Sequence, residues 1–114
     1  MPLRNNIEGG EAKSLKFLNQ LMIHTQTRTL AGALTLVATD AVAQFLDPGG
    51  AGRNVTLPAL QDGLVFFFVN TADAAEVLTI KDAAGNTICT PTQAESAIVW
   101  CNGTIWGGGT LTMS

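Results

Sequence analysis

The sequence predicts a mainly β fold, a small antiparallel β-sandwich or barrel over residues 31–114, preceded by an N-terminal arm over residues 1–30. Three observations predict it. From residue 31 onward, short apolar runs rich in β-branched and aromatic residues follow one another roughly every 8–12 residues, the spacing of sandwich and barrel strands. Gly, Pro, Asn and Asp cluster between those runs, and the chain holds 12 Gly, the residues that turn a backbone. At 114 residues the chain fits one domain.

The elements follow in order. Residues 1–10 hold Pro2, Asn5, Asn6, Gly9 and Gly10 and read as a loose end. Leu15, Leu18, Leu21 and Met22 recur at helical spacing, which predicts a short helix over residues 12–22. Residues 23–30 alternate as an extended link, so the arm is either helical or extended. Ala33–Val37 and Val42–Leu46 are the first two strands of the body. Asp47-Pro48-Gly49-Gly50-Ala51-Gly52 is a loop. Arg53–Leu57 puts Val55 and Leu57 on one face, and Pro58 ends it for want of an N–H. Gln61-Asp62-Gly63 turns into Leu64–Val69. Glu76–Lys81, a turn over residues 82–86, and Thr87–Cys89 come next. Glu95–Cys101 and Thr104–Trp106 flank Asn102-Gly103, the dipeptide of a two-residue type I′ hairpin, which would set Trp100 opposite Ile105. Gly107-Gly108-Gly109 loosens the chain before a last run, Thr110–Met113. No repeat of fixed period is visible.

Charge narrows the function. Only 13% of residues are charged and 46% are apolar, which is little charge for a free-standing soluble surface and suggests that a partner covers part of it. Residues 1–30 carry Arg4, Lys13, Lys16 and Arg28 against Glu8 and Glu11. Residues 31–114 carry Arg53 and Lys81 against seven acids. An acidic body repels a phosphate backbone, which argues against nucleic acid. No run of apolar residues is long enough to cross a membrane as a helix. The polar start, Met1-Pro2-Leu3-Arg4-Asn5-Asn6, lacks the apolar core of a signal peptide, so no secretion is expected.

Leu64–Val69 points towards assembly. In a strand, Val65, Phe67 and Val69 face one way and Leu64, Phe66 and Phe68 the other. Both sets are apolar, so both faces call for cover. A body of this size has one modest core. A second layer from a neighbouring subunit, or the chain's own hairpin, would cover the other face. Phe66, Phe67, Phe68 and Trp106 are the candidates for core and oligomer interface. The arm needs a surface as well. Ordering its twenty-odd residues costs about 1–2 kcal/mol each. Its large apolar side chains return roughly 10–15 kcal/mol if all are buried, so it requires a groove or a strand edge to dock on.

Catalytic groups are sparse. Nucleophilic catalysis needs a base beside the nucleophile, and the single His, His24, lies in the arm. Cys89 and Cys101 lack metal-ligand spacing; they are either a disulfide or two small buried side chains. Asp47, Asp62, Asp73 and Asp82 sit in turns, where Asp caps its own backbone. The Gly-rich stretch over residues 49–52 lacks the Lys-Ser/Thr of a phosphate loop. No cofactor, metal site or enzymatic activity is expected. Trp100 and Trp106 fit packing better than sugar stacking.

The order of these pieces resembles a known module. Leu34-Thr35-Leu36, Gln44-Phe45-Leu46-Asp47-Pro48-Gly49-Gly50, Arg53-Asn54-Val55-Thr56-Leu57-Pro58, Asp62-Gly63-Leu64 and Phe68-Val69-Asn70 look like a β module of tailed-bacteriophage virion proteins. Leu78–Asn86 and Cys101-Asn102-Gly103-Thr104-Ile105-Trp106 fit the same module, over roughly residues 33–107. The family includes capsid decoration (cement) proteins, often trimeric, and tail or fibre proteins. The resemblance implies a decoration protein, made in the host cytoplasm, that binds the exterior of the mature capsid. It would bridge major capsid protein subunits. By analogy, Leu15, Phe17, Leu18, Leu21 and Met22 of the arm would contact the shell, and the body would form a homotrimer. The alternative is a tail or fibre module that binds a host surface glycan.

Overall fold

A computed structural model describes residues 22–111. These residues form nine strands in two sheets. Sheet A takes the order β1(Thr25–Thr29), β3(Ala43–Asp47), β5(Val65–Asn70), β8(Ser96–Cys101), β9(Trp106–Leu111). Sheet B takes the order β2(Leu34–Thr35), β4(Arg53–Thr56), β6(Leu78–Lys81), β7(Thr87–Cys89). The expected mainly β architecture is therefore present.

Its strand pairing is mixed and not antiparallel throughout. From β1 to β6 the chain crosses to the other sheet after every strand. Strands of one sheet therefore arrive in the same direction: β1, β3 and β5 are parallel, and so are β2, β4 and β6. The chain winds as a flattened coil and then reverses. β8 pairs antiparallel with β5, β7 with β6, and β9 with β8. Successive turns of the coil differ in length. Thr25 lies opposite Ala43, and Ala43 opposite Phe67, offsets of 18 and 24 residues.

The core lies between the sheets. Phe66, Phe68, Val99, Ala97 and Leu46 of sheet A meet Val55, Leu78 and Ile80 of sheet B, with Leu36 and Leu57 beside them. The expected inward pair Val55 and Leu57 is buried. Two polar side chains are buried as well. Asn70 donates through Nδ2 to the Glu76 and Pro91 carbonyls at 2.9 and 3.1 Å, and its Oδ1 accepts from the Ala72 amide at 2.9 Å. One side chain thus ties two loops to β5 and satisfies groups that would be costly to bury unpaired. Gln44 donates to the Ala41 carbonyl at 2.8 Å and to Gln26 Oε1 at 2.6 Å, at the end of the core where Arg28 and Asp40 pair at 3.3 Å.

Three local expectations are corrected. Residues 25–29, expected as a link within the arm, are β1 of sheet A, and Leu30 behind them is buried. Their Thr-Gln-Thr-Arg-Thr alternation suits an edge strand, whose outward side chains meet water. The β8–β9 hairpin exists, but its loop holds four residues, so Trp100 faces Gly107 and not Ile105. Asn102 is not in the left-handed region that a type I′ turn requires; among the loop's residues only Gly103 is, at φ 89°. The Asn102 carboxamide instead accepts from the Thr104 and Ile105 amides at 2.9 and 3.0 Å, a local bond that competes with the tighter turn. The third correction concerns Gly107–Gly109, which do not loosen the end: they run inside β9.

Cys89 and Cys101 are free, buried thiols. Burial pushes the Cys89 thiol up to about 11, because desolvation disfavours the thiolate. At pH 8 only about one Cys89 in a thousand is then thiolate, the reactive form. Iodoacetamide at pH 8 should leave Cys89 unlabelled in the folded chain and label it in guanidinium. Peptide mass mapping reads the result, and labelling at equal rates in both conditions would contradict the burial.

Candidate functional site

The outward face of sheet A is built by strand alternation. Val65, Phe67 and Val69 turn away from the core that Phe66 and Phe68 enter. Register brings partners to each side. Phe67 lies between Ala43 on β3 and Ile98 on β8; Val69 lies between Phe45 and Ser96; Val65 lies opposite Trp100. Beyond β8, the outward positions of β9 are Gly107, opposite Trp100, and Gly109, opposite Ile98. With only Gly107 across from it on the β9 side, Trp100 is 52% exposed. On the far side, β1 offers Thr25, Thr27 and Thr29. Sheet B covers the other face of sheet A. Among the described residues no strand lies over this outward one.

The proposed set Phe66, Phe67, Phe68 and Trp106 therefore divides. Phe66, Phe68 and Trp106 are core. The Phe66 ring centroid lies 6.3 Å from that of Phe68 and 6.2 Å from that of Trp106, and Trp106 Nε1 donates to the Pro58 carbonyl at 3.2 Å. Phe67 alone is on the outward face. Phe45, Ile98 and Trp100 join it there, and their alternation with Leu46, Val99 and Cys101 was the available signal. Leu15, Phe17, Leu18 and Leu21 lie outside the described residues. Met22 is 82% exposed. No protein-family model, curated protein or solved structure matched the chain.

A concavity lies at the end of the sandwich where β1, β3 and β5 begin and β8 ends. It encloses about 400 Å³ between the stretch Pro58-Ala59-Leu60, the β6–β7 turn and the β8–β9 loop, with Trp106 on its wall. Its lining is apolar apart from Asp82, Asn86 and Thr104. Asp82 accepts from the Asn86 side-chain and backbone amides at 3.0 and 2.8 Å, and these bonds hold its carboxyl below the usual range. Asp62 packs beside Gly103 near the same loop.

Of the other acids, Asp47 caps its own turn as expected, and Asp40 and Glu95 bond to backbone amides as well. Asp47 Oδ1 accepts from the Gly49 amide at 2.9 Å, and Asp40 Oδ2 from Val37 at 2.8 Å. Glu95 accepts from the Thr92 amide and hydroxyl, both at 2.7 Å, which lowers its carboxyl. Folding also brings Asp47, Asp73 and Glu76 together, with one oxygen of each within 4.8 Å of the others. The sequence shows no metal-loop spacing here, because β3 and the loop after β5 meet only in the folded coil. His24 is exposed, whereas both cysteines are buried.

Proposed function

We propose that this chain is a bacteriophage head decoration protein, which binds the outer surface of the mature capsid, bridges major capsid subunits and stabilises the shell. Its copies join as a homotrimer through the outward face of sheet A. The observation that carries this reading is the contiguous apolar strip of Phe45, Val65, Phe67, Val69, Ile98 and Trp100 on a folded, charge-poor body. A strip of this kind marks a protein contact more often than a solvated surface. The module-like order of turns and strands supplies the virion context.

Light scattering on the full chain tests the assembly. A trimer of 11.9 kDa chains is expected, and Phe67→Asp should reduce it to monomers that keep their β spectrum. Monomers for the parent chain, or an unchanged trimer for Phe67→Asp, would sink the interface. The decoration role is tested separately: the trimer should co-sediment with expanded shells and raise the temperature at which they rupture.

One observation favours a second reading. The open Trp100 indole next to Gly107 is a flat aromatic platform of the kind that stacks on sugars. A tail or fibre glycan-binding module predicts saturable binding to host surface glycans that Trp100→Ala removes.

A further inference from the structure

The apolar concavity at the end where β1, β3 and β5 begin has the size of a ligand site, and no part of the decoration reading uses it. Its floor and walls come from Pro58, Ala59, Ala84 and Trp106. Leu60 and Ile105 flank it, 51% and 61% exposed. Its one ionised lining group is Asp82, and no Lys or Arg lines it; Lys81 precedes Asp82 on the outward side of β6. Asp62 adds a second negative charge close by. The complementary occupant is a peptide with a large apolar side chain next to a cation.

The chain carries such a segment, Lys13-Ser14-Leu15-Lys16-Phe17-Leu18, and β1, the strand that follows it, starts at this end. β1 starts at the end where β8 closes and β9 opens, because β1, β3 and β5 are parallel and β8 is antiparallel to them. Four strand spacings separate β1 from β9, about 19 Å. The eight residues from Phe17 to Thr25 reach about 26 Å when extended. Leu21 and Met22 are too close to β1 to make the crossing. We propose that this pocket holds the chain's own N-terminal segment, with Phe17 on the apolar floor beside Trp106 and Ala84 and Lys16 at the acidic rim.

A tether this short gives the segment a high effective concentration at its own pocket. Docking in the free chain does not depend on what the protein does on a shell. The test uses full-length chain. In the double variant Phe17→Cys, Ala84→Cys, mild oxidation of a dilute sample should give a disulfide within one chain, located by peptide mass mapping. The control pair Phe17→Cys, Thr79→Cys, with Thr79 on the outward side of β6, should cross-link at least about tenfold more slowly. Equal rates for the two pairs would overturn the proposal. Links formed only between chains would overturn it too, and would name another copy's segment as the occupant. A second measurement needs no cysteines. Ala84→Trp fills the pocket and should speed trypsin cleavage at Lys13 and Lys16 by about tenfold or more, since protection by docking is lost. Cleavage at the parent rate, with the β spectrum unchanged, would likewise overturn it.

Discussion

Phe68→Ala should lower the stability of the chain by about 3–5 kcal/mol, the usual loss when a core aromatic is cut to Ala, while Phe67→Ala should change it by less than about 1 kcal/mol. The two residues are neighbours of the same type on one strand. Phe68 is 0% exposed, packed between the sheets near Phe66, and its removal leaves a cavity that the ladders to β3 and β8 on either side hold open. Phe67 stands on the outward face between Ala43 and Ile98. A domain of this size has roughly 5–15 kcal/mol in hand, so Phe68→Ala should leave a chain close to unfolding at room temperature. Urea unfolding of dilute protein, followed by Trp fluorescence, measures both. Equal losses would mean that the outward face is packed as tightly as the core.

The second large effect is expected in β9. Gly108 has φ 134°, a backbone conformation that L side chains rarely adopt, and a Cβ there would collide with the Ile98 carbonyl oxygen. Gly108→Ala should lower stability by at least about 3 kcal/mol, combining backbone strain with a clash that only β8 or β9 can relieve by moving. Gly107→Ala and Gly109→Ala meet nothing within 4 Å and should stay within about 1 kcal/mol of the parent. Thermal unfolding of the three variants checks this. Similar midpoints for all three would show that β9 adapts and that its close approach to β8 is not required.

These contrasts also show what the sequence makes legible. Alternation along Arg53–Leu57 and Leu64–Val69 was readable, because burial on one side of a strand writes a period of two into the side chains. The location of most strands came from the turn residues between them. Strand direction was not readable. A coil that crosses between two sheets leaves the same local alternation as a meander, and turns of unequal length hide any fixed period. The Asn102-Gly103 signal found the hairpin and missed its register, because the Asn102 carboxamide bonds to the loop in place of the turn the dipeptide favours. The outward strip was half legible. Phe67 announced it, but Phe45 and Ile98 lie far away in sequence and join it only through register with β5.

The placement of β1 and β9 at opposite edges of one sheet has a mechanical consequence. The chain comes into β1 at one end of the sheet and leaves β9 at the other. Tension between these two points runs diagonally across sheet A, and its component along the strands is perpendicular to their hydrogen bonds. Each ladder is then loaded in shear, with all its bonds sharing the force, and does not open one bond at a time like a zip. Stretched from its two ends, the body should yield abruptly and at high force.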